Sequence, residues 1–170
     1  MRRISATLLL GLGCLLAAAC SPAITYPSEE GVMSSRSSPG EPVPTLMAYA
    51  IEYAHDYWGE GEGEDFAINL PAGTPAWVYD KVEKRIGAGH PMQDPDEPAY
   101  HVTRVSSQGN TGMVDLFYPK PDGDYGYVTL TFELQLIGGY KHRTTRTWHT
   151  GDQPPPPSYP DAVAGTAPEA

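Results

Sequence analysis

Residues 126–137 read GYVTLTFELQLI, and the spacing of their apolar side chains decides the fold. Every second position is apolar: Val128, Leu130, Phe132, Leu134 and Leu136. A period of two is typical of a β-strand with one buried face. We therefore expect a strand from Gly126 to Ile137 whose five apolar side chains form the core face of a sheet.

Two hairpins are predicted beside this strand. The segments YHVTRVSSQ and TGMVDLFYP flank Gly109 and Asn110, and GYKHRTTRTWH follows the strand at Gly138 and Gly139. Gly-Asn and Gly-Gly pairs favour two-residue turns between antiparallel strands. Together the four segments predict an antiparallel meander.

Two helices are predicted before the meander. The first follows Thr45, its expected cap, through LMAYAIEYAHDYW, and the second has Thr74 as cap, Pro75 at its first position and Gly87 as terminator. Between them, DFAINLP alternates apolar and other residues and favours a short strand.

This order of elements predicts an α+β domain, with two helices packed on a curved antiparallel sheet made of the four-strand C-terminal meander and one short extra strand. The order resembles cystatin-like and nuclear-transport-factor-like folds, which also wrap helices on such a sheet. The resemblance concerns architecture and implies no function.

The turns also predict which residues face each other on the sheet. With two-residue loops, Arg104 lies opposite Asp115, Asp115 beside Thr129, and Thr129 beside Trp148. We call the side of the sheet opposite the core face the second face. Its predicted members are Arg104, Asp115, Phe117, Tyr127, Glu133, His142, Arg146 and Trp148.

The second face is the candidate site, and three interpretations of it stay open. An antiparallel sheet commonly keeps one face in water, where such pairs only add to packing. Phe117, Tyr127 and Trp148 together would form a larger apolar patch than soluble proteins usually expose to water, which favours a partner or dimer surface. A small-ligand pocket lined by the polar members is the third interpretation.

The N-terminal segment has the layout of an export signal. Two arginines precede ISATLLLGLGCLLAAA, which carries no charge, and three alanines lead to Cys20. Residues 1–22 resemble a bacterial lipoprotein signal, in which the cysteine after the cleavage site is acylated, with palmitate as a typical chain. The resemblance implies a signal peptide at 1–19, lipid on Cys20 and, because Ser21 is not Asp, sorting to the periplasmic side of an outer membrane. Ordinary cleavage after Ala19 without a lipid is the alternative.

Cleavage after Ala19 would change the charge and the cysteine content of the chain. The net charge would fall from −10 to −12 because Arg2 and Arg3 are lost. Such a chain repels nucleic acid, so no nucleic-acid partner is expected. Cys14 would leave with the signal, so disulfides within the monomer and cysteine nucleophiles are excluded.

The composition divides the remaining chain into three parts. Residues 20–44 are rich in Ser, Pro and Gly, and we predict a lipidated cysteine followed by a flexible tether. Residues 45–150 form the globular domain. Residues 151–170 contain four consecutive prolines and are predicted to be a disordered tail.

Motifs for catalysis or metal binding are weak or missing in this sequence. Glu52 and His55 form only half of a di-metal motif, and the glutamates of GEGEGED lack the later ligand of a calcium loop. The chain contains no G-x-S-x-G, H-E-x-x-H or P-loop, and His90, His101 and His149 have no acid or nucleophile at motif spacing. We predict no catalytic residue, cofactor or metal site.

These observations favour an exported lipoprotein of the cell envelope over an enzyme. The predicted function is a binding or structural module, held to the membrane through Cys20, that offers its second face to an envelope protein or to another copy of itself. The alternative is a small-molecule-binding or enzymatic pocket in the concavity of the sheet, lined by Asp115, Glu133, His142 and Arg146.

Overall fold

A computed structural model describes residues 23–28, 39–59, 65–149 and 153–159 of the chain. The signal peptide and Cys20 lie outside these residues, and so do Glu60, Glu62 and Glu64 of the acidic segment.

The described chain is an α+β domain with two helices on one side of an open, curved sheet. Helix α1 (Val43–Trp58) and helix α2 (Ala76–Ile86) contact each other, and α1 also packs on the sheet. The strands are β1 (Ile24–Tyr26), β2 (Ala67–Asn69), β3 (His90–Pro91), β4 (Ala99–Gln108), β5 (Thr111–Pro119), β6 (Tyr125–Gln135) and β7 (Gly139–Trp148). The predicted fold class is therefore confirmed.

The sheet is mixed rather than wholly antiparallel. Its order is β3-β2-β4-β5-β6-β7, with β1 also paired to β4. The four strands from β4 to β7 form the predicted antiparallel meander, whereas β2 runs parallel to both β3 and β4. After β2, the chain passes through helix α2 and returns to the end of the sheet where β2 began. Strand β3 starts there and therefore runs parallel to β2.

Helix α1 begins three residues earlier than predicted. Thr45 does not cap it: its hydroxyl donates to Oε2 of Glu41 at 2.8 Å, and Pro42 occupies the cap position without a side-chain hydrogen bond. Proline fits the first turn because the N–H groups there lack helical acceptors in any case. The helix packs on the sheet and on helix α2, and its buried residues are Val43, Pro44, Leu46, Met47, Ala48, Ala50, Ile51 and Ala54.

Helix α2 ends as predicted but begins differently. Gly87 terminates it with a φ of 78°, a left-handed conformation that glycine adopts without strain. At the start, Pro75 stands in the cap position, and the Thr74 hydroxyl donates to the carbonyl of Pro71 at 2.5 Å instead of capping the helix. Val78 and Val82 are buried against the core.

The β5–β6 pair has the predicted register, and so does the first hairpin from its turn to Arg104, beyond which a bulge between Val102 and Arg104 shifts the pairing by one residue. Gln108 pairs with Thr111 across a two-residue turn, and Arg104 lies opposite Asp115. Val114 faces Leu130 on the core side. Because the side-chain period is two, this register buries the alternate apolar residues of three strands together.

The β6–β7 hairpin departs from the prediction. Gln135 pairs with Gly139, so the loop has three residues, and Leu136 and Ile137 lie in it rather than in the strand. Leu134 and Leu136 are exposed, which leaves Val128, Leu130 and Phe132 as the core residues of β6. The predicted pair of Thr129 with Trp148 is also wrong, since Thr129 lies opposite Arg146 and Trp148 opposite Tyr127.

Two segments predicted to be flexible belong to the folded domain. Within the proposed tether, Ile24–Tyr26 forms β1 on the edge of β4, with Ile24 opposite Ser107. Within the proposed tail, the backbone N–H of Ser158 donates to Oδ1 of Asn69 at 3.1 Å, and Asn69 Nδ2 donates to the carbonyl of Pro156 at 2.9 Å. These residues are held because they satisfy buried polar groups of the sheet.

Candidate functional site

A chain of side-chain hydrogen bonds crosses the second face from β4 to β7. Arg104 Nε donates to Asp115 Oδ2 at 2.8 Å, and the Thr129 hydroxyl donates to Asp115 Oδ1 at 2.5 Å. The indole nitrogen of Trp148 donates to the same hydroxyl at 2.9 Å. We call Arg104, Asp115, Thr129 and Trp148 the cross-strand row. It links four strands and satisfies both oxygens of a carboxylate that is only 6% exposed.

Aromatic rings surround the cross-strand row. The rings of Phe117 and Tyr127 stack with centroids 4.4 Å apart, and the guanidinium of Arg146 lies 3.7 Å from the centre of the Trp148 ring. Phe117 is buried, and Tyr127 and Trp148 are half-buried. The aromatic surface in contact with water is therefore smaller than the sequence suggested, because the rings cover each other and their neighbours.

Six of the eight predicted members of the second face lie together around the cross-strand row: Arg104, Asp115, Phe117, Tyr127, Arg146 and Trp148. Glu133 lies on the same face near the other end of β6, where Arg143 Nε is 3.2 Å from its Oε2 and Asn110 donates to its Oε1. It is thus separate from the aromatic group.

His142 lies on the opposite side of the sheet, under the helices. It pairs with Phe132 on the core face, and its ring stacks on Tyr53 with centroids 4.0 Å apart. Burial lowers the pKa of His142. The prediction that His142 belongs to the second face is wrong because the three-residue loop moves the start of β7 by one face.

The four polar residues of the alternative pocket do not converge. Asp115 is occupied by Arg104 and Thr129, Glu133 is paired with Arg143, and His142 is on the other face of the sheet. A small-molecule pocket built from Asp115, Glu133, His142 and Arg146 is therefore contradicted by their positions.

Positive charge collects on the second face. Lys141 lies opposite Glu133 on this side. Arg143 is the extra residue of a bulge in β7, because its neighbours His142 and Thr144 lie opposite Phe132 and Thr131. Neither residue was included in the sequence prediction, because the bulge that turns Arg143 toward Glu133 has no local signature. With Arg104 and Arg146, they place four cations on a face whose carboxylates are Asp115 and Glu133.

A separate cleft of about 550 Å³ lies at the end of the sheet where β5 turns into β6. Its walls include the aromatic residues Trp58, Phe66 and Tyr100. His55 forms a contact of 3.2 Å between Nδ1 and the Tyr100 hydroxyl, and its ring stacks on Phe66 at 4.3 Å. Burial, followed by the charge of Asp56, raises the pKa of Tyr100 to about 12.

His90 lies at the rim of this end cleft between two carboxylates. Its Nδ1 is 2.6 Å from Asp65 Oδ1, and its Nε2 is 2.7 Å from Glu97 Oε1. The hydrogen bond to Glu97, followed by that to Asp65, raises the pKa of His90. Both ring nitrogens are occupied, so a protonated His90 binds its neighbours and has no lone pair for a metal or a proton. Sequence reasoning missed this group because Asp65 is 25 residues away.

Other chemistry is sparse in the part of the chain that the structure describes. Within it, no group of three or more His, Cys, Asp or Glu side chains is arranged to hold a metal ion. None of the described helices is long and apolar enough to cross a bilayer.

Comparison of the chain with protein-family models, with curated proteins and with solved structures finds no match.

Proposed function

We propose that the protein is an exported envelope lipoprotein, acylated on Cys20 and held at the periplasmic side of the outer membrane, whose second face binds an acidic protein surface. The resemblance of residues 1–22 to a lipoprotein signal supports the anchor. The observation that carries the binding role is the concentration of positive charge on the second face of an acidic chain.

The charge distribution on the second face is opposite to that of the whole chain. Arg104, Lys141, Arg143 and Arg146 are four of the nine Lys and Arg residues that follow Cys20, in a chain with 21 Asp and Glu. Both carboxylates of the face are already engaged, Asp115 with Arg104 and Glu133 with Arg143. The face therefore attracts an anionic partner, while most of the remaining surface repels one.

The side chains at the centre of this face are of the types that dominate protein interfaces. Arg146 and Trp148 stack on each other, and tryptophan, tyrosine and arginine are enriched among residues that carry most of the binding energy. The cross-strand row keeps Trp148 in one orientation, so little conformational entropy is lost when a partner covers it.

A photocrosslinking experiment on the full chain in its own envelope tests this proposal. A photoreactive amino acid at Thr144, which is exposed on the second face, should form an adduct with an acidic protein or with a second copy of the chain. The same amino acid at Asp80, exposed on α2, is the positional control.

Charge reversal then distinguishes specific binding from proximity. Arg146→Glu should reduce the Thr144 adduct severalfold, whereas Lys84→Glu makes the same charge change on α2 and should leave it unchanged. The mass of the adduct separates self-association from a different partner. An adduct that forms equally at Asp80, or that survives Arg146→Glu, would contradict the proposal.

Small-molecule binding is a second candidate function, and the end cleft favours it. A volume of about 550 Å³ with three aromatic walls is within the usual range for ligand sites. Native mass spectrometry of the extracted protein should then show a bound small mass that is lost in the Phe66→Ala variant and retained in Trp148→Phe, which changes only the second face. A bare chain in all three proteins would exclude this candidate.

A further inference from the structure

The turn between β6 and β7 is apolar and exposed. Leu136 is fully exposed, Ile137 is 92% exposed, and the adjacent Leu134 is 45% exposed. Single exposed apolar residues are common, but loop tips are usually built from polar residues, glycine and proline. Three neighbouring apolar side chains at the tip of a hairpin form a surface that favours an apolar environment.

The chain N-terminal to β1 leaves the sheet at the same end as this turn. Ile24 lies opposite Ser107, Ser107 opposite Gly112, and Gly112 opposite Phe132, so these four residues share one level across the sheet. From that level β6 continues toward its turn. Because β1 is antiparallel to β4, and β4 runs in the same direction as β6, the chain before Ile24 continues toward that same end.

The distance between Cys20 and the sheet is limited by chain length. Only three peptide steps separate Cys20 from Ala23, which is at most about 11 Å even when fully extended. Ile24 is at the level of Phe132, and Cys20 precedes Ile24 by four residues. If the chain between them were extended along β1, Cys20 would be at the level of Leu136, four residues after Phe132. Strand β1, which begins four residues after Cys20, is three strand spacings from β6, or about 14 Å. A lipid on Cys20 therefore cannot hold the domain far from the membrane, as a long tether would.

The acidic residues are concentrated at the other end of the sheet. Asp122 and Asp124 lie in the β5–β6 turn, and Asp94 and Asp96 lie in the loop before β4. An anionic lipid surface repels these carboxylates and tends to keep that end away.

Two described carboxylates near the apolar turn have cationic partners. Glu133 is paired with Arg143, and Glu41, which acts electrostatically on Tyr140 of β7, is paired with Lys81. The apolar end of the domain is thus the one that an anionic bilayer repels least.

We propose that Leu136 and Ile137 insert into the lipid surface beside the acylated Cys20 and hold the sheet upright, with its acidic end away from the membrane. This inference rests on the acylation of Cys20 in the proposed function, and it adds a second, non-covalent membrane contact. A lipid chain and an inserted apolar loop together fix an orientation that either one alone leaves free. The second face then projects sideways, where a neighbouring envelope protein can reach it.

Site-directed spin labelling of the full, processed chain tests this orientation. The acylated mature chain has no free thiol, so Ile137→Cys and Asp122→Cys each carry one nitroxide label, at opposite ends of the sheet. Both side chains are exposed, so the labels leave the fold intact. The proteins are placed in vesicles of phosphatidylethanolamine and phosphatidylglycerol. Collision rates of each label with oxygen and with a water-soluble nickel chelate then report its depth.

We expect the ratio of oxygen to nickel collisions to be severalfold higher at position 137 than at position 122. The mass of the N-terminal peptide is measured in the same samples. Equal ratios on an acylated chain would overturn the orientation and leave the lipid anchor in place. A mass without acyl groups would overturn the anchor, and the orientation with it.

Discussion

The indole nitrogen of Trp148 donates a hydrogen bond of 2.9 Å to the hydroxyl of Thr129, although the two residues are not paired across the strands. Trp148 lies opposite Tyr127 and reaches its partner diagonally. Since Thr129 donates in turn to Asp115, one hydroxyl connects the last strand of the sheet to its central carboxylate. The position of the aromatic residue in the proposed interface therefore depends on a threonine.

Replacing Thr129 tests this dependence. Thr129→Val should lower the free energy of unfolding by about 1–3 kcal/mol, because Asp115 Oδ1 and the Trp148 N–H both lose a partner. Urea denaturation measures the change. Thr131→Val is the matched control, one position along the same face, and should stay within about 0.5 kcal/mol of the parent protein. Equal effects of the two substitutions would contradict the role of Thr129.

A double-mutant cycle isolates the bond between Thr129 and Trp148. Trp148→Phe removes the N–H donor and keeps a ring beneath Arg146. Combined with Thr129→Val, it should cost less than the sum of the two single changes, because the bond can be lost only once. Additive free energies of unfolding would mean that the bond contributes nothing.

Buried His101 makes stability depend on pH. It is 1% exposed, and burial lowers its pKa from 6.5 to about 4. As the pH falls, His101 is protonated near pH 6.5 in the unfolded chain but only near pH 4 in the folded chain. The contribution of neutral His101 to stability is therefore fully present above pH 6.5 and is lost as the pH falls toward 4. The gap between the two pKa values corresponds to roughly 3 kcal/mol.

Urea denaturation between pH 6.5 and about 4 measures this loss. In His101→Phe, the part of the dependence that comes from His101 should disappear, while the part that comes from His142, whose pKa burial also lowers, should remain. The variant loses the contact with Asn69 at every pH. His90 acts in the opposite direction. Its raised pKa gives a contribution to stability that is present below pH 6.5 and is lost only as the pH rises through the pKa of the folded chain. An unchanged slope in His101→Phe would contradict the prediction.

The meander could be predicted because its signals are local. Alternation fixes which side of β6 is buried, and a two-residue turn at Gly109 and Asn110 fixes how β4 meets β5. These two facts were sufficient to place Arg104 opposite Asp115. The same register placed Arg104, Asp115, Phe117, Tyr127 and Glu133 correctly on the second face.

The β6–β7 hairpin shows where local signals fail. Alternation continues through Leu134 and Leu136, so the sequence gives no sign that the strand ends at Gln135. The longer loop moves the start of β7 to the other face, and the bulge at Arg143 moves the rest back. Arg146 and Trp148 therefore lie on the predicted face, although with other partners, only because the two displacements cancel. His142 lies between the loop and the bulge, where only the first displacement acts, and so it is on the other face.

Contacts between distant parts of the chain account for the remaining differences. Strand β1 has three residues, too few for a period to be recognised. The end cleft joins His55, His90 and Tyr100 from separate elements, and Ser158 contacts Asn69 across 89 positions. Such contacts form because buried polar groups need partners, and a single sequence does not identify those partners.

The imidazole of His90 should titrate above the usual pKa of 6.5, and NMR can follow it directly. Because the hydrogen bond to Glu97 is the largest cause, Glu97→Gln should lower the His90 pKa more than Asp65→Asn does. The side chain of Asp65 is 86% exposed and that of Glu97 is 29% exposed, so water screens the charge of Asp65 more strongly. A larger shift in Asp65→Asn would reverse this assignment.

Asn69 should hold residues 153–159 against the domain. It is 1% exposed, and its amide bonds the carbonyl of Pro156 and the backbone of Ser158 at once. Asn69→Ala removes these contacts and leaves backbone groups of the segment to water, so we expect a loss of about 2–3 kcal/mol in the free energy of unfolding. Amide hydrogen exchange and limited proteolysis should then detect the opening of residues 153–159.

The exposed neighbour Gln153 provides the control for this last test. Gln153→Ala changes the segment itself but removes no contact with Asn69, so exchange protection at Ser158 should be unchanged. Proline loses little conformational entropy in an extended backbone, so a few contacts are enough to keep this segment in place. If Ser158 stayed protected in Asn69→Ala, the segment would be held by Tyr79 and Tyr159 instead, whose rings pack at 4.9 Å.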